Sequence, residues 1–257
     1  MNALTLNDLV AAGLPTFDLA VSGTPNRPRA SAPKGVIVHT PGTPFAQRAW
    51  MTAQAANGGK KPALAEFDRA AARRFDAAQF QPGYLLGQTG AVFILESDAK
   101  RTNHAGKLGG DSPVPNVYAS GAWRDWASPS DGSGWQKHGR PGHQVYDFWD
   151  AAWPGAVTPL EVYPWRDAPN DCIGIDLLPD PNTGEYTPAQ RSAFVRLVRL
   201  LSQAHGFPLD ARHVTTHTLA SPVERGTVKR NTKIIGRHWD PDARVWPHAE
   251  VLAELVS

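Results

Sequence analysis

The chain has 257 residues, 41% of them hydrophobic, so it can bury one substantial core, and nothing in its length requires a second domain. Its 26 basic and 24 acidic residues give a net charge of +2 and are scattered, with no basic stripe of the kind that nucleic acid selects. The single cysteine, Cys172, excludes an internal disulfide and any multi-cysteine metal site, and reads as an inert buried thiol.

The opening MNALTLNDLVAAGLPTFDLAV carries Asp8 inside its apolar stretch and has no positive n-region, so it does not read as a secretory signal. No run approaches the roughly 18 apolar residues of a membrane span. The expectation is a soluble protein made in the cytoplasm, which needs another route to act beyond it. Residues 23–33, GTPNRPRASAP, lack periodicity and read as a linker. That makes 1–33 an N-terminal arm and linker, with the folded domain over 34–257. In GVIVHTPGTPF a β-branched run predicts a buried strand that ends at His39, where Pro41 and Gly42 stop it. A polar ring at that exit needs either a backbone group to bond or a ligand to hold.

PALAEFDRAAARRFDAAQF then opens with proline and repeats its apolar residues at helical spacing. GYLLGQTGAVFILES places two apolar runs around Gln88-Thr89-Gly90 and predicts a hairpin. Residues 107–169 are rich in Gly, Pro, Ser and Asp, yet they hold six of the nine tryptophans, so they read as an ordered insertion. Most of that aromatic area suits a local core, and a ring or two could stack on sugar. DCIGIDLLPD is a buried-strand candidate. YTPAQRSAFVRLVRLLSQAHG is the clearest helix: Thr187 and Gln190 form a capping box, Pro188 takes the first turn and Gly206 stops it. RHVTTHT is a further β-branched run ending in a histidine. The alternation predicts an α/β fold, a single domain with a central mixed sheet flanked by helices.

His39 and His217 each end a strand-like run, which is how a sheet brings ligands to one shared edge. His213 and His217 superficially echo a zinc-binding helix motif, but the glutamate is missing and four residues of strand span about 13 Å, too far for one metal. His213 is therefore read as structural. A third ligand is available in GRHWDP, where Pro241 rigidifies Asp240. Two imidazoles, one carboxylate and a water make an open tetrahedral zinc site of His39, His217 and Asp240, at one edge of the sheet.

In this order, these segments resemble the zinc-dependent N-acetylmuramoyl-L-alanine amidases of the type 2 family, which includes relatives of the peptidoglycan recognition proteins. The resemblance spans most of residues 34–245. VIVHTPG is similar to the family's first-ligand strand and assigns His39. YLLGQTG resembles its hairpin, and TNHAG its Ala-Trp-His-Ala-Gly segment, which places His104 at the rim of the cleft as a substrate-binding residue. NDCIGID resembles the strand that carries the catalytic glutamate, so Asp176 takes that position. VTTHTLASP and HWDP resemble the segments of the second and third ligands. The chain departs from the family in having Asp176 for glutamate and His238 for the lysine that stabilises the oxyanion. Pro82 and Gly83 stand where some members carry a Tyr-His pair, so Tyr84 is given no catalytic role. VERGTVKRNTKII lies between the last two ligand segments, and the 107–169 insertion is longer than usual.

The resemblance implies a zinc-dependent hydrolase of peptidoglycan, cutting between N-acetylmuramic acid and the L-alanine of the stem peptide. Asp176 would be its general base, and His238 would hold the oxyanion. Each assignment has a plainer alternative: Asp176 ending its strand with a hydrogen bond, His238 packing behind the ligands, His104 pinning a loop. The implied setting is a phage lysin or another bacteriolytic protein, monomeric, acting on cell wall without membrane insertion. The alternative function is a non-catalytic peptidoglycan-binding protein on the same fold, against which the retention of all three ligands argues. No G-x-S-x-G or Walker A pattern supports a serine hydrolase or a P-loop enzyme.

Overall fold

A computed structural model of the chain describes residues 3–19, 28–77, 82–102, 171–217, 241 and 245–257. Six strands form one sheet in the order β1, β4, β3, β5, β2, β6. These are β1 (Thr16–Asp18), β2 (Gly35–His39), β3 (Tyr84–Leu86), β4 (Val92–Ile94), β5 (Cys172–Leu177) and β6 (Val214–Thr216). The adjacent interior strands β2 and β5 are buried at every position, and their runs of Val, Ile and Gly suit strands covered on both faces. β3, β5, β2 and β6 run parallel, while β3 and β4 form the antiparallel hairpin expected around Gln88-Thr89-Gly90.

Register decides which side chains share a face. Val38, Ile175, Tyr84 and Ile94 align across four strands, and all four belong to the larger core cluster. That cluster packs against α4 (Pro188–His205) and α5 (His248–Val256) through residues such as Phe194, Leu197, Leu201, Val251 and Leu255. On the other face, Leu85 and Phe93 pack with Phe67, Ala71 and Phe75 of α3 (Leu64–Ala77) and with Ala46 and Ala49 of α2 (Thr43–Ala56). The result is a mixed sheet between two helical layers, the class that the alternation predicts.

Helix α4 forms as its sequence dictates. The Thr187 hydroxyl accepts from the Gln190 backbone N–H, the Gln190 side chain accepts in return from the Thr187 N–H, and Gly206 closes the helix at φ 78°. Three helices and one strand were not read from sequence, the six-residue α1 (Leu6–Ala11) among them. α2 buries mainly alanines, so it has little hydrophobic contrast to show. α5 is a short terminal helix, and β1 is three residues long. The folded part also starts earlier than Lys34, because β1 pairs with β4 and Leu14, just before it, lies in the larger core. Leu9 of α1 (Leu6–Ala11) is 0% exposed and Leu14 is 3% exposed, both within the larger core. No described helix is long and apolar enough to cross a membrane.

Candidate metal and catalytic centre

The β-branched run of β2 delivers His39 to the carboxyl end of this interior strand, where Pro41 and Gly42 turn the chain into α2. Gly42 holds φ 79°, and its N–H donates to Thr40 Oγ1 at 3.3 Å, so the turn leaves the strand in one conformation. On one side of His39, Asp176 of β5 is its direct register partner. On the other side Val38 pairs with Thr216, and His217 follows at the end of β6. Three adjacent parallel strands therefore end in Asp176, His39 and His217, in that spatial order. All three side chains are buried, at 5%, 3% and 2% exposure. The two imidazoles lie with ring centroids 4.5 Å apart and planes tilted by 51°.

Asp176 shares its register row with Leu85 as well as His39, and Leu85 packs toward α2 and α3. The site side chains therefore project to that face. Tyr84 projects to the opposite face, is wholly buried in the larger core, and burial pushes its phenol well above its ordinary pKa. His213 stands at the entrance to β6, away from His217, with its Nδ1 2.6 Å from Asp210 Oδ1.

The donors suit a borderline metal such as zinc. Two buried imidazoles at this separation can each turn a nitrogen toward a shared ion about 2 Å away, and Asp176 stands beside His39 on the neighbouring strand. Asp240, His238 and His104, and the 107–169 insertion, lie outside the described residues.

A second set of residues fixes the exit of β5 and went unread in the sequence. The carbonyl of Leu178, two residues beyond Asp176, accepts from both Gln88 Nε2 and Gln190 Nε2 at 2.7 Å. Gln190 Nε2 also donates to the Leu86 carbonyl at 3.1 Å, and the Thr187 hydroxyl to the Gln88 carbonyl at 2.7 Å. Asp68 of α3 holds the hairpin turn from below, accepting from the Gln88 N–H, the Thr89 N–H and the Thr89 hydroxyl at 2.7, 3.0 and 2.7 Å. Burial lifts the Asp68 carboxyl above its ordinary pKa, against the pull of those hydrogen bonds. A Cβ on Gly87 would run into the Asp68 carboxylate, so only glycine fits there. The signal was present in Gly-Gln-Thr-Gly and in the capping glutamine, but it reads locally as a turn and a cap.

No curated protein matches the chain. Among solved structures, a selenomethionine derivative of AmpD is 16% identical, with 84% of this chain and 88% of that one covered at a TM-score of 0.42. The N-acetylmuramoyl-L-alanine amidase LysC from Clostridium intestinale is 12% identical, covering 94% and 97% at a TM-score of 0.39. PGRP-Hd from Alvinella pompejana is 10% identical, covering 77% and 80% at a TM-score of 0.37. The family model described as N-acetylmuramoyl-L-alanine amidase matches residues 29–243, a span that contains β2, β5 and β6 and every residue of the centre. With that match across most of its length, the chain belongs to the N-acetylmuramoyl-L-alanine amidase family.

Proposed function

We propose that the protein is a zinc-dependent peptidoglycan hydrolase that cuts the amide between the lactyl carbonyl of N-acetylmuramic acid and the L-alanine of the stem peptide. The observation that supports this most is the convergence of His39, His217 and Asp176 at the ends of three adjacent strands. His39 and His217, with Asp240, would hold the metal. When bound, zinc would polarise the scissile carbonyl and acidify water.

The remaining work falls to the chain. Asp176 takes a proton from the attacking water on its carboxylate and returns it to the nitrogen of the departing alanine, which leaves as a neutral amine. Its burial keeps bulk water from competing for that proton. His238 donates a hydrogen bond to the oxygen that gains charge as the carbonyl becomes tetrahedral. His104 and aromatic side chains of the 107–169 insertion would bind the muramoyl-peptide. The setting is a lysin or bacteriolytic protein that reaches the wall by a route of its own.

The test is to incubate purified sacculi with the protein, with and without a chelator, and to weigh the released fragments. Intact stem peptides with free L-alanine amines, lost on chelation and regained with zinc, are expected. Binding to sacculi with no fragments released would favour the non-catalytic reading instead.

A further inference from the structure

On the opposite helical layer, α4 and α5 enclose a groove of about 610 Å³ whose lining includes Tyr186, Arg191, Arg196, Arg199, Trp246 and Glu254. Among the described residues, two hydrogen-bond donors in this lining have no acceptor: Trp246 Nε1 and Arg191 Nε are both shielded from water and unpartnered. Trp246 is 1% exposed and is gripped edge-on by Tyr186 and Phe194, at centroid distances of 5.6 and 5.3 Å, so its ring cannot turn to find one. Buried donors left in this state are unfavourable, and a ligand that brings acceptor oxygens removes the defect.

The charges around the groove say which oxygens. Arg199 donates from Nε and Nη2 to the backbone carbonyls of Leu255 and Glu254, which are neutral acceptors, and makes no ion pair among the described residues. Arg196 is exposed and makes no hydrogen bond or ion pair among the described residues. Arg191 is paired through Nη1 to Glu250 at 3.1 Å and through Nη2 to Glu254 at 2.6 Å. Three guanidinium groups thus meet a single carboxylate in the lining, that of Glu254, whose side chain is 47% exposed and free to swing aside. An incoming anion can replace Glu254 on Arg191 and reach the Nε that Glu254 leaves unused.

We propose that this groove is a second binding site, taking an oxyanion, carboxylate or phosphate, carried by cell-wall polymer. That the oxyanion belongs to wall material rests on the proposed function; the oxyanion chemistry itself rests on the groove alone. Because the groove lies across the sheet from the layer that Asp176 and His39 face, an anion bound there tethers the enzyme without blocking the centre.

The test follows the Trp246 indole N–H by NMR in the full chain, its signal assigned through Trp246→Phe, while inorganic phosphate and acetate are titrated separately. A saturable shift is expected, with affinity weakened about fivefold or more in Arg196→Gln and strengthened in Glu254→Gln. No saturable shift with either anion, or equal affinity in wild type and Arg196→Gln, would overturn the site. Sedimentation with sacculi then separates the sources. If acid extraction of phosphate-bearing polymers erases the difference between wild type and Arg196→Gln, the phosphate is the ligand; if the difference persists, the stem-peptide carboxylates are. The same variant should hydrolyse a soluble muramoyl-peptide at the wild-type rate. Hydrolysis by neither protein would count against the amidase reading alone, since the indole shift reports the groove independently.

Discussion

Asp176 sits inside a ladder of backbone hydrogen bonds shared with β2 and β3, so exchanging its side chain for an isosteric amide leaves the strand in place and removes only the basic oxygen. Asp176→Asn is therefore expected to keep its fold by circular dichroism and keep its metal, while kcat falls by about 10²–10⁴. An unchanged kcat would move the general base elsewhere. This residue and the two histidines were legible in the sequence for a physical reason. A buried β-branched strand has no use for a polar side chain at its exit, so His39, Asp176 and His217 each stand out against the run before them. The glutamines that secure Asp176 did not stand out, because Gln88 bonds a carbonyl 90 residues away and nothing in local pattern encodes that pairing.

At the scale of elements, the exit of β5, the hairpin turn and the first turn of α4 are joined through Gln88 and Gln190. Gln190→Ala removes one of two donors to each of the Leu178 and Leu86 carbonyls, all of it buried, and should cost about 1–3 kcal/mol in denaturant unfolding. Gly87→Ala should cost about 2 kcal/mol or more, because the Asp68 carboxylate it displaces is held by three hydrogen bonds and cannot step aside. Helix α5 carries a pH dependence. His248 accepts burial beneath it and donates from Nε2 to the Val214 carbonyl at 3.2 Å, and burial pushes its pKa down to about 4 from the ordinary 6.5. The unfolded chain thus takes up the proton first as pH falls. The stability due to neutral His248 is complete above about 6.5 and is lost progressively toward pH 4, by about 3 kcal/mol in all. His248→Gln, which keeps a donor without the titration, should flatten the stability profile across that window. Element by element, the long amphipathic α4 and the hairpin could be read from pattern and capping chemistry, whereas alanine-lined α2 and three-residue β1 are fixed only by what they pack against.

Across the whole molecule, the N-terminal segment is part of the fold rather than an arm beside it, and one buried carboxylate, Asp98, ties it to the far end of α4. Asp98 Oδ2 lies 2.7 Å from His205 Nε2 and accepts the Leu4 N–H at 3.1 Å, with the Asp98 and His205 side chains almost wholly enclosed. Asp98→Ala removes both of these hydrogen bonds and leaves a buried imidazole without its acceptor, so it should cost about 1–3 kcal/mol. Leu9→Ala should cost about 2–5 kcal/mol, a loss that a dispensable arm would not produce. The α/β class was legible because strand and helix periods alternate along the chain; the docking of residues 3–19 was not, since it depends on a long-range edge pairing. The central claim is that this sheet gathers its ligands at one edge to hold a metal. Its most direct test is elemental analysis of purified wild type, His39→Ala, His217→Ala, Asp240→Ala and Asp176→Asn. About one zinc per chain is expected in the wild type and in Asp176→Asn, and little or none in the three alanine variants. Unchanged zinc in all three alanine variants would contradict the account.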